Sequence, residues 1–106
     1  RDWKTVAAWR EIDTRVRLVD STRLERISEG PERRAAHLAA AGIDAINLHE
    51  SDWTSGLTSL FHRFGLICLG WDAQHPRQID HLLKIGIDGL YSDHVDRMVD
   101  CLQAAG

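Results

Sequence analysis

Apolar positions along the 106-residue chain switch repeatedly between helical and strand spacing, with glycines at the switches. Leu57, Leu60, Phe61 and Phe64 fall at i, i+3, i+4 and i+7, one face of a helix, and Gly65 stops it. Earlier, Gly30 and Pro31 open a helix whose proline lacks only an N–H that has no partner in a first turn. Ala35, Ala36, Leu38 and Ala39 form its small-residue face, and Gly42 ends it. Pro76 opens a third helix, with Ile79, Leu82 and Leu83 inward and Gly86 as the stop.

A short apolar run follows each stop: 43–48, 66–69 and 87–91 are predicted strands. Trp3, Val6, Ala7 and Ile12 predict a first helix, and the alternation at 15–19 predicts the strand after it. Val95, Met98, Val99 and Leu102 predict an amphipathic helix at the end. The order is α-β-α-β-α-β-α-β-α. Residues 37–46 (HLAAAGIDAI) return as 81–90 (HLLKIGIDGL), and the glycine stops recur at about the length of one βα unit with short loops.

Successive strands joined by helices pair in parallel, so the fold class is α/β. Four such units make either an open doubly wound sheet or the second half of a TIM (β/α)8 barrel. Arg15, Arg17 and Asn47 place polar groups within strands. A sheet covered on both faces tolerates these poorly, whereas a barrel lumen near its mouth accepts them, which favours the half-barrel as one partial domain over 1–106.

Composition narrows the partners. A net charge of −3, with basic and acidic residues interspersed, leaves no face for nucleic acid. No apolar run approaches the roughly 18 residues of a membrane span, and no signal-peptide pattern opens the chain. Cys68 and Cys101 read as small buried hydrophobes rather than a disulfide.

Parallel strands bring their carboxyl ends to one rim, where barrels keep their chemistry. The groups expected there are Asp20 and Ser21; His49, Glu50 and Ser51; Trp71, Asp72 and Gln74; and Ser92, Asp93 and His94. His49 and Glu50 are the candidate metal ligands, although Ser51, Asp52, Ser92 and Asp93 also suit helix caps. His37, His62 and His81 lie on helix bodies and are expected to face solvent. No Cys-x-x-Cys, His-Glu-x-x-His, Gly-x-Ser-x-Gly or phosphate-cradling glycine loop is present, so the residues alone name no reaction.

One stretch carries a resemblance. Gly65, Leu66, Ile67 and Cys68, then Trp71 to Gln74, Pro76, and Ile85 to Asp93 follow one another in the order and spacing of the C-terminal part of the glycerophosphodiester phosphodiesterase family. That family shows a Gly-Leu-x-Val strand ending in Trp-Thr-Val-Asn, a helix opened by Asp-Pro, and Leu-Gly-Val-Asp-Gly-Ile-Ile-Thr-Asp. Upstream, the helix at 2–12 and the strand at 15–19 resemble the family segment after its Ser-Phe strand, and residues 41–48 resemble the strand before the Trp-bearing one, so the likeness spans the chain, strongest in the last third. Asp72 and Gln74 stand where the family has Thr and Asn, and Asp72 adds a negative charge.

The resemblance implies the fifth to eighth strands of a barrel whose parent hydrolyses a small-molecule glycerophosphodiester in lipid metabolism with Ca²⁺ or Mg²⁺. It implies that Trp71 is a pocket wall and that Asp93 stands on the substrate rim; Asp72, where this chain departs from the family, is the third substrate-side candidate by its place after Trp71. The family's His-Arg-Gly, Glu-x-Asp, second histidine and Glu-x-Lys have no matching positions here, so this chain alone is expected to bind no cofactor and to be inactive. Two rival expectations remain. One is a non-catalytic half-barrel forming a homo-oligomer, or pairing with another chain, through open sheet edges. The other is a small hydrolase with His49, Glu50, Asp72, Asp93 and His94 as a metal rim.

Overall fold

The computed structural model describes Trp3 and residues 18–91. Over them the elements are β1 (Val19–Ser21), α1 (Pro31–Ala40), β2 (Ala45–His49), α2 (Ser55–Arg63), β3 (Ile67–Trp71), α3 (Pro76–Lys84) and β4 (Gly89–Leu90). Short 3-10 turns at Leu24–Arg26 and Glu50–Asp52 follow β1 and β2. The four strands form one parallel sheet in the order β1-β2-β3-β4, with Val19 opposite Ala45, Ala45 opposite Ile67, and Leu69 opposite Gly89.

Strand alternation sends neighbouring residues to opposite faces. Leu18, Ile46, Leu48, Cys68 and Leu90 join one buried cluster with Ala35 and Leu38 of α1, Leu57, Leu60 and Phe61 of α2, and Leu82 of α3. All three described helices therefore share one face of the sheet, as in a barrel segment. The other face carries Val19 and Ser21, Ala45, Asn47 and His49, and Ile67, Leu69 and Trp71. Buried Trp53 ties the layers together, since its indole N–H donates to Leu69 O at 2.8 Å and its ring meets Phe61 edge-on.

The repeat seen in the sequence is a repeated helix ending. Ile43, Leu66 and Ile87 donate their backbone N–H to Leu38, Phe61 and Leu82, each five residues back, across glycines whose φ is 77°, 78° and 99°. This is the Schellman closure, and the apolar residue after each glycine is buried on the helix it has just left. In the first and last of these units the next residue is an aspartate with a shared task. Asp44 accepts the N–H of Leu18, and Asp88 accepts that of Cys68, both at 2.7 Å, at the starts of neighbouring strands.

These closures explain why the strands begin later than apolar runs at 43–48, 66–69 and 87–91 predict. The first residue of each run belongs to the helix stop and starts the strand only after it. β1 likewise lies at Val19–Ser21, beyond most of the predicted 15–19 run, whose residues 15–17 lie outside the described residues. On α1, Ala35 and Leu38 are buried while Ala36 and Ala39 are exposed. On α3, Leu82 is buried but Leu83 faces out, because a nine-residue helix offers the sheet only a narrow stripe. The predicted first and last helices lie outside the described residues except for Trp3, which is helical and stacks on His37.

Candidate functional site at the strand-end rim

The carboxyl ends of β2 and β3 are adjacent because His49 is in register with Trp71. Three of the groups expected on the rim meet there. His49 Nε2 lies 2.8 Å from Asp72 Oδ2, and the imidazole stands edge-on to the Trp71 indole with centroids 4.6 Å apart. The backbone N–H of Ser51 donates to His49 Nδ1 at 3.1 Å. Nδ1 is thus an acceptor, which leaves the ring hydrogen on Nε2, directed at Asp72.

Asp72 is the only non-glycine residue with positive φ, 69°, among the described residues. Aspartate tolerates this region better than most residues, and the backbone turn swings its carboxylate back over the rim. Gln74 Nε2 donates to Asp72 Oδ1 at 2.7 Å, so each carboxylate oxygen has a partner. Gln74 and then His49 hold this carboxyl below the usual aspartate range. A carboxyl depressed in the folded state stabilises the fold above its ordinary value of 3.8 and loses that contribution as pH falls through the lower folded value. Asp72→Asn is therefore expected to lower the urea midpoint at pH 6 and to converge on the parent chain as the titration is carried well below pH 3.8. A gap that persists unchanged in acid would contradict the pairing.

Glu50 does not face the histidine. Its Oε1 receives Gln78 Nε2 at 3.3 Å, while Gln78 Oε1 accepts the N–H groups of Gln74 and His75 and so closes the start of α3. Ser51 and Asp52 are not the caps of α2, as their place before a helix suggests. Thr54 does that, accepting Leu57 N–H, because its position directly before Ser55 fits the N-cap geometry. Asp52 instead accepts from Arg23 Nε at 3.0 Å and from Leu24 N–H at 3.1 Å. Burial raises its pKa, but these donors outweigh it and the net shift is downward.

Asp20 also departs from its expected place. Alternation turns it toward the helices, where it is 1% exposed and meets Arg34 Nη1 at 3.0 Å; its neighbour Ser21 is the rim residue. Ser92, Asp93 and His94 lie outside the described residues, so the expected role of Asp93 has no geometry. Gln78, Arg23 and Arg26 were not anticipated at the rim. The spacing of Gln78 behind Pro76 is a capping-box signal that identifies it in retrospect.

No group of three potential metal ligands forms around His49 and Glu50 among the described residues. His49 is engaged at both nitrogens and Glu50 is tied to Gln78. His62, Cys68 and Asp88 do converge within 4.8 Å, but at the amino ends of the strands, opposite the rim. There the Asp88 carboxylate accepts Cys68 N–H and lies 2.6 Å from His62 Nε2. Burial, and then Asp88, push the Cys68 thiol well above its usual range, so with its protein neighbours alone it is a neutral thiol. The cluster fastens α2 to the strand starts.

A cavity of about 240 Å³ opens at the rim between β1, β2 and β3, lined by Ser21, Thr22, Arg23, Arg26, Asn47 and Trp71. A larger depression of about 710 Å³ borders His75, Pro76, Arg77 and Gln78 at the start of α3 and takes no strand-end side chain among the described residues. The smaller one has the polar and aromatic lining of a binding site.

Two solved structures among several share this fold. One, assigned as a glycerophosphoryl diester phosphodiesterase of Silicibacter pomeroyi DSS-3, matches with a TM-score of 0.72 and 24% identity over 87% of this chain and 32% of its own. The other, with the same assignment and from Agrobacterium tumefaciens C58, matches with a TM-score of 0.70 and 22% identity over 84% of this chain and 36% of its own. The chain thus spans about a third of the length of each, and its four parallel βα units are part of a TIM-barrel fold. No family model and no curated protein matches the chain.

Proposed function

We propose that the chain is the C-terminal half of a phosphoric diester hydrolase barrel that acts on glycerophosphodiesters, and that it furnishes pocket wall rather than reacting groups. Trp71 carries this reading. It ends β3 in the motif that resembles the phosphodiesterase family, and its ring borders the rim cavity. The likeness in fold to two proteins assigned to that activity supports it.

A divalent cation in such a parent would polarise the phosphoryl oxygens, with histidines moving the protons. The rim residues present here do not fit that ion, since His49 and Glu50 are already bonded to protein partners. The metal ligands and the acid–base pair are therefore assigned to a preceding half of a longer chain. Residues 1–106 alone are expected to show no diester turnover and no heat on titration with Ca²⁺ or Mg²⁺. Turnover by this chain would instead favour an independent hydrolase.

The open edges support a second reading. Among the described residues β1 and β4 each pair on one side only, leaving backbone groups free to recruit a second copy or another chain. Sedimentation of the isolated chain discriminates: a concentration-dependent dimer supports this reading, and a monomer at all concentrations removes it.

A further inference from the structure

The rim cavity contains a buried acceptor with no partner. Asn47 is 7% exposed and lines the cavity. Its Nδ2 donates to Ser21 Oγ at 2.8 Å, while its Oδ1 receives no hydrogen bond. An unpaired buried carbonyl oxygen is costly to leave in place, and a hydroxyl or N–H donor entering the cavity would satisfy it.

The charged part of the lining is cationic. Arg23 is held in position by Asp52, which engages Nε at 3.0 Å and Nη2 at 3.4 Å, and its Nη2 lies 3.9 Å from Glu25 Oε1, which leaves Nη1 unengaged among the described residues. Arg26 is exposed and makes no ion pair among the described residues. Arginine at a small cavity suits carboxylate or phosphate, whose oxygens match its planar fork. Trp71 adds a flat apolar wall, and Ser21 and Thr22 add hydroxyls. At about 240 Å³ the space is that of roughly eight water molecules, enough for a small polyol acid.

We infer that this cavity binds a small anionic, hydroxylated group, with its carboxylate or phosphate on Arg26 and Arg23 and a hydroxyl donating to Asn47 Oδ1. Within the phosphodiesterase reading, on which only the identity of the parent molecule rests, this group is the substrate's alcohol portion. The site then prefers acidic head groups and rejects cationic ones such as choline.

The test is titration of the chain with four probes, D-glycerate, glycerol 2-phosphate, glycerol and choline, followed by the Asn47 side-chain amide resonances. Glycerate and glycerol 2-phosphate are expected to saturate those resonances, glycerol to bind more weakly, and choline not at all. Arg26→Gln should weaken both anions about tenfold and leave glycerol unchanged, as the loss of one charge-assisted contact implies. Asn47→Leu, followed at the Trp71 indole, should weaken glycerol and the anions alike; if it does not fold, Asn47→Ser serves.

Choline binding as well as glycerate, or an Arg26→Gln variant with unaltered anion affinity, would overturn the inference. Because binding is read without turnover, its failure is separable from that of the phosphodiesterase reading. Diester hydrolysis by the longer protein with no anion effect sinks the inference alone, and anion binding without hydrolysis sinks the parent reading alone.

Discussion

Arg34→Met is expected to destabilise the chain by about 3–5 kcal/mol in urea unfolding at neutral pH, the range for removing one partner of a buried ion pair. The arginine lies on α1 with its side chain 11% exposed, between Asp20 on β1 and Glu29 in the preceding turn. Asp20 is essentially out of water, and without the guanidinium its charge has no buried counterpart. Burial already raises the Asp20 pKa even with Arg34 beside it, whereas nearer the surface the Arg34 hydrogen bond pulls Glu29 down to about 2. The cation pulls both carboxyls down, but Asp20 is desolvated strongly enough that its net shift is upward.

The pH dependence separates the two contributions. Glu29 stabilises the fold fully above its ordinary value of 4.5 and loses that stabilisation as pH falls toward 2. Asp20, with a raised folded value, is easier to bury once protonated, so acid relieves part of the penalty in Arg34→Met. Combining Asp20→Asn with Arg34→Met is expected to recover much of the loss, since it removes the stranded charge. A double variant as unstable as the sum of its single variants would contradict the pairing.

In the longer phosphodiesterase proposed above, Trp71→Ala is expected to reduce kcat/KM for a glycerophosphodiester about 10- to 100-fold, mostly through KM. The indole is half-buried, lines the rim cavity and braces the imidazole of His49, but carries no group that moves a proton at neutral pH. Losing such an aromatic wall forfeits roughly 1.5–3 kcal/mol of apolar contact, which is felt by substrate and transition state alike. Trp71→Phe should retain most of the affinity. Unchanged KM and turnover in Trp71→Ala would remove this residue from the site.

Much of the architecture was legible because helix stops are local. Gly42, Gly65 and Gly86 each mark a closure whose bonds span five residues, so sequence spacing alone locates them. The starts of β2, β3 and β4 were misplaced by one or two residues because an apolar residue completing a closure reads the same as one opening a strand. At the rim, adjacency of His49, Trp71 and Asp72 followed from parallel strands. Which way Asp20 faced did not, because it depends on where β1 begins, and one residue of register exchanges core for rim. Arg23 and Arg26 were illegible for a different reason. They sit in the turn after β1, and their approach to Asn47 and Trp71 depends on strands that meet only in the sheet.

The most direct measurement is the release of glycerol 3-phosphate from a glycerophosphodiester by the longer protein, beside residues 1–106 alone. Metal-dependent release by the longer protein, with none from the 106-residue chain, is the result expected if this chain is the wall of a divided site. A folded longer protein that releases nothing with either Ca²⁺ or Mg²⁺ would contradict it.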